Sequence, residues 1–127
     1  MNMNIPAFFK SIADADTAPI VICDTDHIII YMNPSAVDRY AKMGGAGLLG
    51  KSLLDCHSGE SNDRIKAVVR WFEESSENNR VFTFHNDIEN KDVYMIALRS
   101  ESGELIGYYE KHEYRTPETA EPYINIR

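Results

Sequence analysis

Three observations predict an α+β domain built on a single five-stranded antiparallel sheet, with short helices on one face and an amphipathic helix at the N-terminus. Residues 19–24, 27–33, 80–88, 92–99 and 105–114 are runs rich in β-branched and aromatic residues. Helical periodicity is confined to the start of the chain and to the stretch between the second and third of these runs. The 127 residues carry 43% hydrophobic side chains with no Gly/Ser linker, which describes one core, not two.

The elements follow in order. Ile5, Phe8, Phe9 and Ile12 recur at helical spacing over residues 5–14. A short helix of this kind must lay its stripe on the domain or on a partner. Residues 19–24 and 27–33 form a hairpin around Thr25-Asp26, a turn that lacks the favoured Asn-Gly or Asp-Gly pair. Asn33 caps a helix with Pro34 at its first position, where a missing N–H costs least, and Gly44-Gly45 ends that helix near Met43. Residues 47–58 read as a loop with one helical turn. Ser61 or Asn62 caps a helix over about 62–75, with Ile65, Val68, Val69 and Phe72 on its apolar stripe and Trp71 beside it. Three antiparallel strands follow, and Gly103 takes a left-handed turn between the last two. The segment 116–127, with Pro117 and Pro122, reads as a tail.

Charge narrows the function classes. Twenty acidic against 13 basic residues give a net charge of −7. That balance speaks against nucleic acid and against an anionic membrane surface. No apolar run approaches the ~20 residues of a membrane-spanning helix. The N-terminus lacks the basic segment and long apolar core of a signal peptide. Cys23 and Cys56 do not make a disulfide framework. The expected setting is a reduced cytoplasm.

Several motifs resemble those of the PAS domain family. Residues 19–36, PIVICDTDHIIIYMNPSA, are similar to its opening hairpin, with Tyr31, Asn33 and Ala36 on the family pattern. LLGKSLLDCH (residues 48–57) resembles the Gly-Lys/Arg-Ser-hydrophobic segment. SGELIGYYEKHEYR (residues 102–115) resembles the closing Gly-x-x-x-Gly strand. The resemblance covers about residues 16–115, giving an N-terminal helix over 1–15, a PAS-like domain over 16–115 and a tail over 116–127. It implies a cavity between sheet and helices that holds haem, flavin, a small metabolite or nothing, and dimerisation through an N-terminal amphipathic helix. A complete chain of this length would leave no room for an output domain and would act alone, as a homodimer or through an effector protein in trans; in a fragment of a longer protein the output domain simply lies outside the sequence.

The candidate site residues carry two readings each. In Asp55-Cys56-His57-Ser58, His57 is placed to ligate haem iron. The simpler reading, and the one the isolated pair favours, is that Cys56 is a small buried hydrophobe and His57 a capping or loop residue. The cluster resembles the Asp/Asn-Cys-His-Pro stretch of a PAS-like subgroup, with Ser58 in place of Pro. Flavin photochemistry is not expected, because Cys56 lacks the Asn-Cys-Arg-Phe-Leu-Gln context. Trp71, Phe82, Phe84 and Tyr94 either line the cavity with Cys56 and His57 or fill it as core. Phe82 and Phe84 are expected to share the inner face of their strand, with His85 outward, and His27 and His112 to face solvent. Enzymatic templates fail, so the chain is not expected to be an enzyme. Gly45-x4-Gly50-Lys51-Ser52 satisfies the bare phosphate-loop pattern, but no strand precedes it. The expected function is sensory: a small ligand or cofactor in the cavity, signalling by protein contact. The alternatives are a ligand-free interaction module and a haem sensor using His57.

Overall fold

The computed structural model describes residues 4–126. Residues 1–3 and Arg127, included above in the N-terminal helix and the tail, lie outside the described residues. One antiparallel sheet runs β2-β1-β5-β4-β3, built from β1 (Val21–Asp24), β2 (Ile29–Met32), β3 (Arg80–Asn86), β4 (Lys91–Arg99) and β5 (Leu105–Tyr114). The helices are α1 (Ile5–Ala15), α2 (Pro34–Arg39) and α3 (Gly59–Glu74). Three 3₁₀ turns between α2 and α3 span Ala41–Met43, Gly45–Leu48 and Leu53–Cys56.

Local chemistry explains each junction. The β1–β2 turn works without glycine because Asp24 Oδ1 accepts from the Asp26 and Ile28 amides, at 2.9 and 3.0 Å, while His27 takes the left-handed conformation at φ 67°. Asn33 caps α2 as expected. α3 starts three residues earlier than the periodicity suggests, capped by Ser58 instead of Ser61 or Asn62. Its C-terminus is held from outside the helix: Arg99 of β4 donates to the Phe72, Ser75 and Asn78 carbonyls. A cation there complements the helix dipole.

The segment containing Gly50-Lys51-Ser52 pairs along the free edge of β2, with Ile29 N bonded to Lys51 O and Gly50 N to Ile29 O. It follows a 3₁₀ turn and covers a sheet edge, so it is no phosphate loop.

Antiparallel register assigns the faces, since directly paired residues point the same way. Val21, Cys23, Met95 and Tyr108 face the helices and meet Val69 and Phe72 of α3 in the core. α1 stands apart from this core. None of its residues is buried, and Phe8, Phe9 and Ile12 are each more than 60% exposed. It is tethered by polar contacts at its C-terminal end, where Asn33 Nδ2 donates to Ala13 O and the Tyr31 hydroxyl donates to Asp14.

One ion-pair cluster ties α2 to the β3–β4 turn. Arg39 makes a two-pronged contact to Glu89, at 2.8 and 2.7 Å, and Lys91 Nζ lies 3.2 Å from Glu89 Oε2. The Lys91 side chain is 1% exposed, so Glu89 is the counter-charge for a buried ammonium. Hydrogen bonding from Arg39, then from Lys91, draws the Glu89 carboxyl from 4.5 down to about 2. A depressed carboxyl contributes its stabilisation fully above its unfolded value and loses it as pH falls through the folded one. Acid titration should therefore weaken the fold progressively between pH 4.5 and about 2. In Glu89→Gln, unfolding followed by circular dichroism should lose part of this acid dependence. An identical acid profile for both proteins would remove Glu89 from the account.

Candidate ligand cavity

Between the inner sheet face and the helical layer lies a cavity of about 240 Å³. The volume falls below the roughly 300–1,000 Å³ of sites for drug-sized ligands. Val21, Cys23, Met95 and Tyr108 supply the sheet wall, and Leu48, Leu53 and Ile65 close it from the helical side. The core therefore does not interdigitate completely.

Cys56 and His57, the pair the sequence singles out, are among the residues around this cavity. They sit at the end of the third 3₁₀ turn, which Ser52 caps by accepting from Leu54 N. His57 Nδ1 lies 3.0 Å from the Leu53 carbonyl. A carbonyl only accepts, so Nδ1 carries the proton and donates, and the neutral ring keeps its lone pair on Nε2. Cys23, buried across the cavity, has its thiol pushed up to about 11, chiefly by loss of solvation, and stays protonated at neutral pH.

The aromatic residues expected at the wall are elsewhere. A bulge between Phe82 and Phe84 shifts the register of β3, so the two rings do not share a face. Phe82 pairs with Tyr94 on the outer face, with ring centroids 5.6 Å apart and the Arg80 guanidinium 4.0 Å from the Tyr94 ring centre. Phe84 pairs with Val93 on the inner side but lies on the edge strand and is 48% exposed. Trp71 is 39% exposed because it falls off the Val69–Phe72 stripe of α3. Trp71, Phe82, Phe84 and Tyr94 thus neither line the cavity nor fill it. His85 does face outward, 2.7 Å from Asp92.

Two histidines expected in solvent are instead engaged. His27 Nδ1 is 2.9 Å from the Tyr108 hydroxyl, and loss of solvation, assisted by the Lys66 charge, lowers its pKa. His112 lines the cavity with its side chain 5% exposed, Nε2 3.2 Å from Glu110 Oε1 and Nδ1 buried without a partner. The phase of β5 carried this information: Tyr108, Glu110 and His112 alternate onto one face, so an inward Tyr108 brings the other two with it.

The PAS fold family model matches residues 13–112. The chain belongs to the PAS fold family. Among curated proteins none matches the sequence. Solved structures agree on the fold. The PAS domain of a protein from Colwellia psychrerythraea superposes with TM-score 0.64 at 14% identity, covering 89% of this chain and 98% of that one. The PAS domain of BvgS from Bordetella pertussis gives 0.60 at 18% identity, covering 91% and 89%. The Aer2 receptor of Vibrio cholerae, described as a dual PAS-haem oxygen sensor, gives 0.53 at 19% identity, covering 74% and 90%. PAS domains are generally sensory rather than catalytic. Among the described residues no helix is long and apolar enough to cross a membrane, and no cluster of side chains has the make-up of a metal site.

Proposed function

We propose that this PAS domain binds a small molecule in the cavity between sheet and helices and passes its state on by protein contact. The observation that carries the reading is the partly unfilled core, with the Cys56-His57 segment at its wall. The output surface is α1 in this reading. The folded chain exposes 8,983 Å², against roughly 6,900 Å² expected for a monomer of its mass. α1 contributes to that excess with Phe8, Phe9 and Ile12, which a homodimer or an effector in trans would cover.

Haem through His57 is the second reading. The protonated Nδ1 leaves Nε2 available to a metal, and the Leu53 carbonyl fixes the ring as a backbone carbonyl does behind a metal-bound histidine. The rest of the cavity does not fit a haem. It lies below drug-sized volume, and among the described residues no lysine or arginine lines it to meet the propionates. A small metabolite is the better match.

Mass spectrometry under native conditions and an absorption spectrum test the proposal together. A retained mass without a Soret band is the expected result. A saturating ligand, at about 100 times its Kd, should add about 2.7 kcal/mol to the unfolding free energy. Protein that carries no mass and shows no thermal shift across a metabolite panel is a ligand-free module. Deleting residues 1–15 should lower the solution mass from dimer to monomer, and an unchanged monomer before and after would set aside the homodimer.

A further inference from the structure

The ligand class can be narrowed from the charges at the wall, resting on the ligand-binding reading above. We infer that the cavity takes a small, largely apolar molecule whose polar end donates hydrogen bonds, an alcohol or an amine, and that it rejects acids. Most of the lining is apolar, from Val21 and Ile29 to Met95. Among the described residues the one acidic side chain at the wall is Glu110, and neither lysine nor arginine stands there to answer a ligand's negative charge. Arg39 and Lys91 are both committed to Glu89. A carboxylate or phosphate entering the cavity would therefore give up water, meet a like charge and find no counter-ion.

The polar groups there are arranged to accept. A carboxylate accepts only, so the Glu110 contact places the proton of a neutral His112 on Nε2 and leaves Nδ1 as a buried lone pair. Glu110 keeps acceptor capacity beyond that one contact. His57, at the exposed rim of the cavity, spends its Nδ1 proton on the Leu53 carbonyl and so has no second N–H to offer in its neutral form. The Tyr108 hydroxyl is already shared with His27. An incoming O–H or N–H completes this set, whereas an incoming acceptor has only the Tyr40 hydroxyl to turn to.

Four probes of one shape test the inference: toluene, benzyl alcohol, benzylamine and benzoate, titrated into the ¹⁵N-labelled full chain. Resonances of Val21, Met95 and Tyr108 should shift with benzyl alcohol and benzylamine, with affinity at least about tenfold above that for benzoate, the difference one charge-assisted hydrogen bond makes. Toluene should fall between. Glu110→Gln removes the charge at equal size from a side chain that is 42% exposed, so folding is preserved. It should weaken benzylamine and strengthen benzoate, closing the gap. Benzoate binding as tightly as benzyl alcohol overturns the inference while leaving the ligand-binding reading in place, and so does an order of affinities untouched by Glu110→Gln. Failure of all four probes to shift any cavity resonance overturns the ligand-binding reading, and this inference falls with it.

Discussion

Replacing Asn33 with alanine is expected to destabilise the domain by about 3–4 kcal/mol, combining a lost helix cap with buried groups left unpaired. Asn33 is fully buried and uses its whole side chain. Oδ1 accepts from Ile20 N at 2.8 Å and Ala36 N at 2.9 Å. Nδ2 donates to Ala13 O and Ala18 O, both at 2.9 Å, and lies 3.3 Å from Asp16 O. One amide thus joins the end of α1, the segment entering β1 and the start of α2. Typical domain stability is about 5–15 kcal/mol, so the loss is a large fraction of the total. Asn33→Asp separates capping from donation. Aspartate caps as well as asparagine, but here it would point a carboxylate oxygen at three carbonyls. Asn33→Asp should be at least as damaging as Asn33→Ala at neutral pH. It should recover in part when acid protonates the carboxyl and restores a donor. Urea unfolding with an unchanged m-value is the measurement. An aspartate variant as stable as the parent would show that the donor side of the amide is dispensable.

The second large effect is expected at Gly107, where alanine should cost about 3 kcal/mol, the upper end for an overpacked site. Gly107 sits in β5 opposite Asp24 of β1, and an added Cβ would press into the Cys23 carbonyl oxygen. The obstacle is backbone, so no rotamer change relieves it. The strands must part instead, at the point where Cys23 and Tyr108 form the cavity wall. Gly107→Ala should therefore lower the urea midpoint and also reduce ligand retention, whereas Gly47→Ala, whose Cβ meets nothing within 4 Å, should do neither. A Gly107→Ala protein with the parent's midpoint would mean that β1 and β5 do not approach as closely as described.

The two residues differ in how far the sequence announced them. Asn33 before Pro34 reads as a helix cap, because capping is a local event between neighbours along the chain. Its three carbonyl partners come from residues 13–18, and no local rule brings them there. Gly107 lies in a Gly-x-x-x-Gly strand ending, but the close approach to Cys23 that demands glycine depends on which strands are adjacent. The hairpin turn was similarly half legible. Its position followed from the flanking strands, whereas its mechanism, the Asp24 carboxylate accepting two amides, needed the coordinates.

The cavity divides along the same line. His57 and Cys56 were singled out because a polar, reactive pair in a short apolar segment is conspicuous in sequence. Phe82, Phe84, Tyr94 and Trp71 were weighed as wall or core because aromatic bulk usually belongs inside. A single bulge in β3 reversed the phase of Phe82, and an edge position exposed Phe84. The sequence places His112 in solvent and says nothing of Glu110; an inward Tyr108, which the pairing of β5 with β1 and β4 establishes, brings both onto the inner face.

By itself, the sequence determined the order of the five strands and three α-helices, the single antiparallel sheet and the family, because periodicity, capping and turn chemistry act over a few residues; it ran α2 on to Met43, where the structure ends that helix at Arg39 and continues in 3₁₀ turns. The tertiary structure alone decided which side chains meet at the cavity. Strand order, a one-residue bulge and edge position set the direction of a side chain, and those depend on residues far apart in the chain. In this domain Tyr108, Glu110 and His112 of β5 join Val21 and Cys23 of β1 and Met95 of β4 in one wall only when β5 lies between β1 and β4.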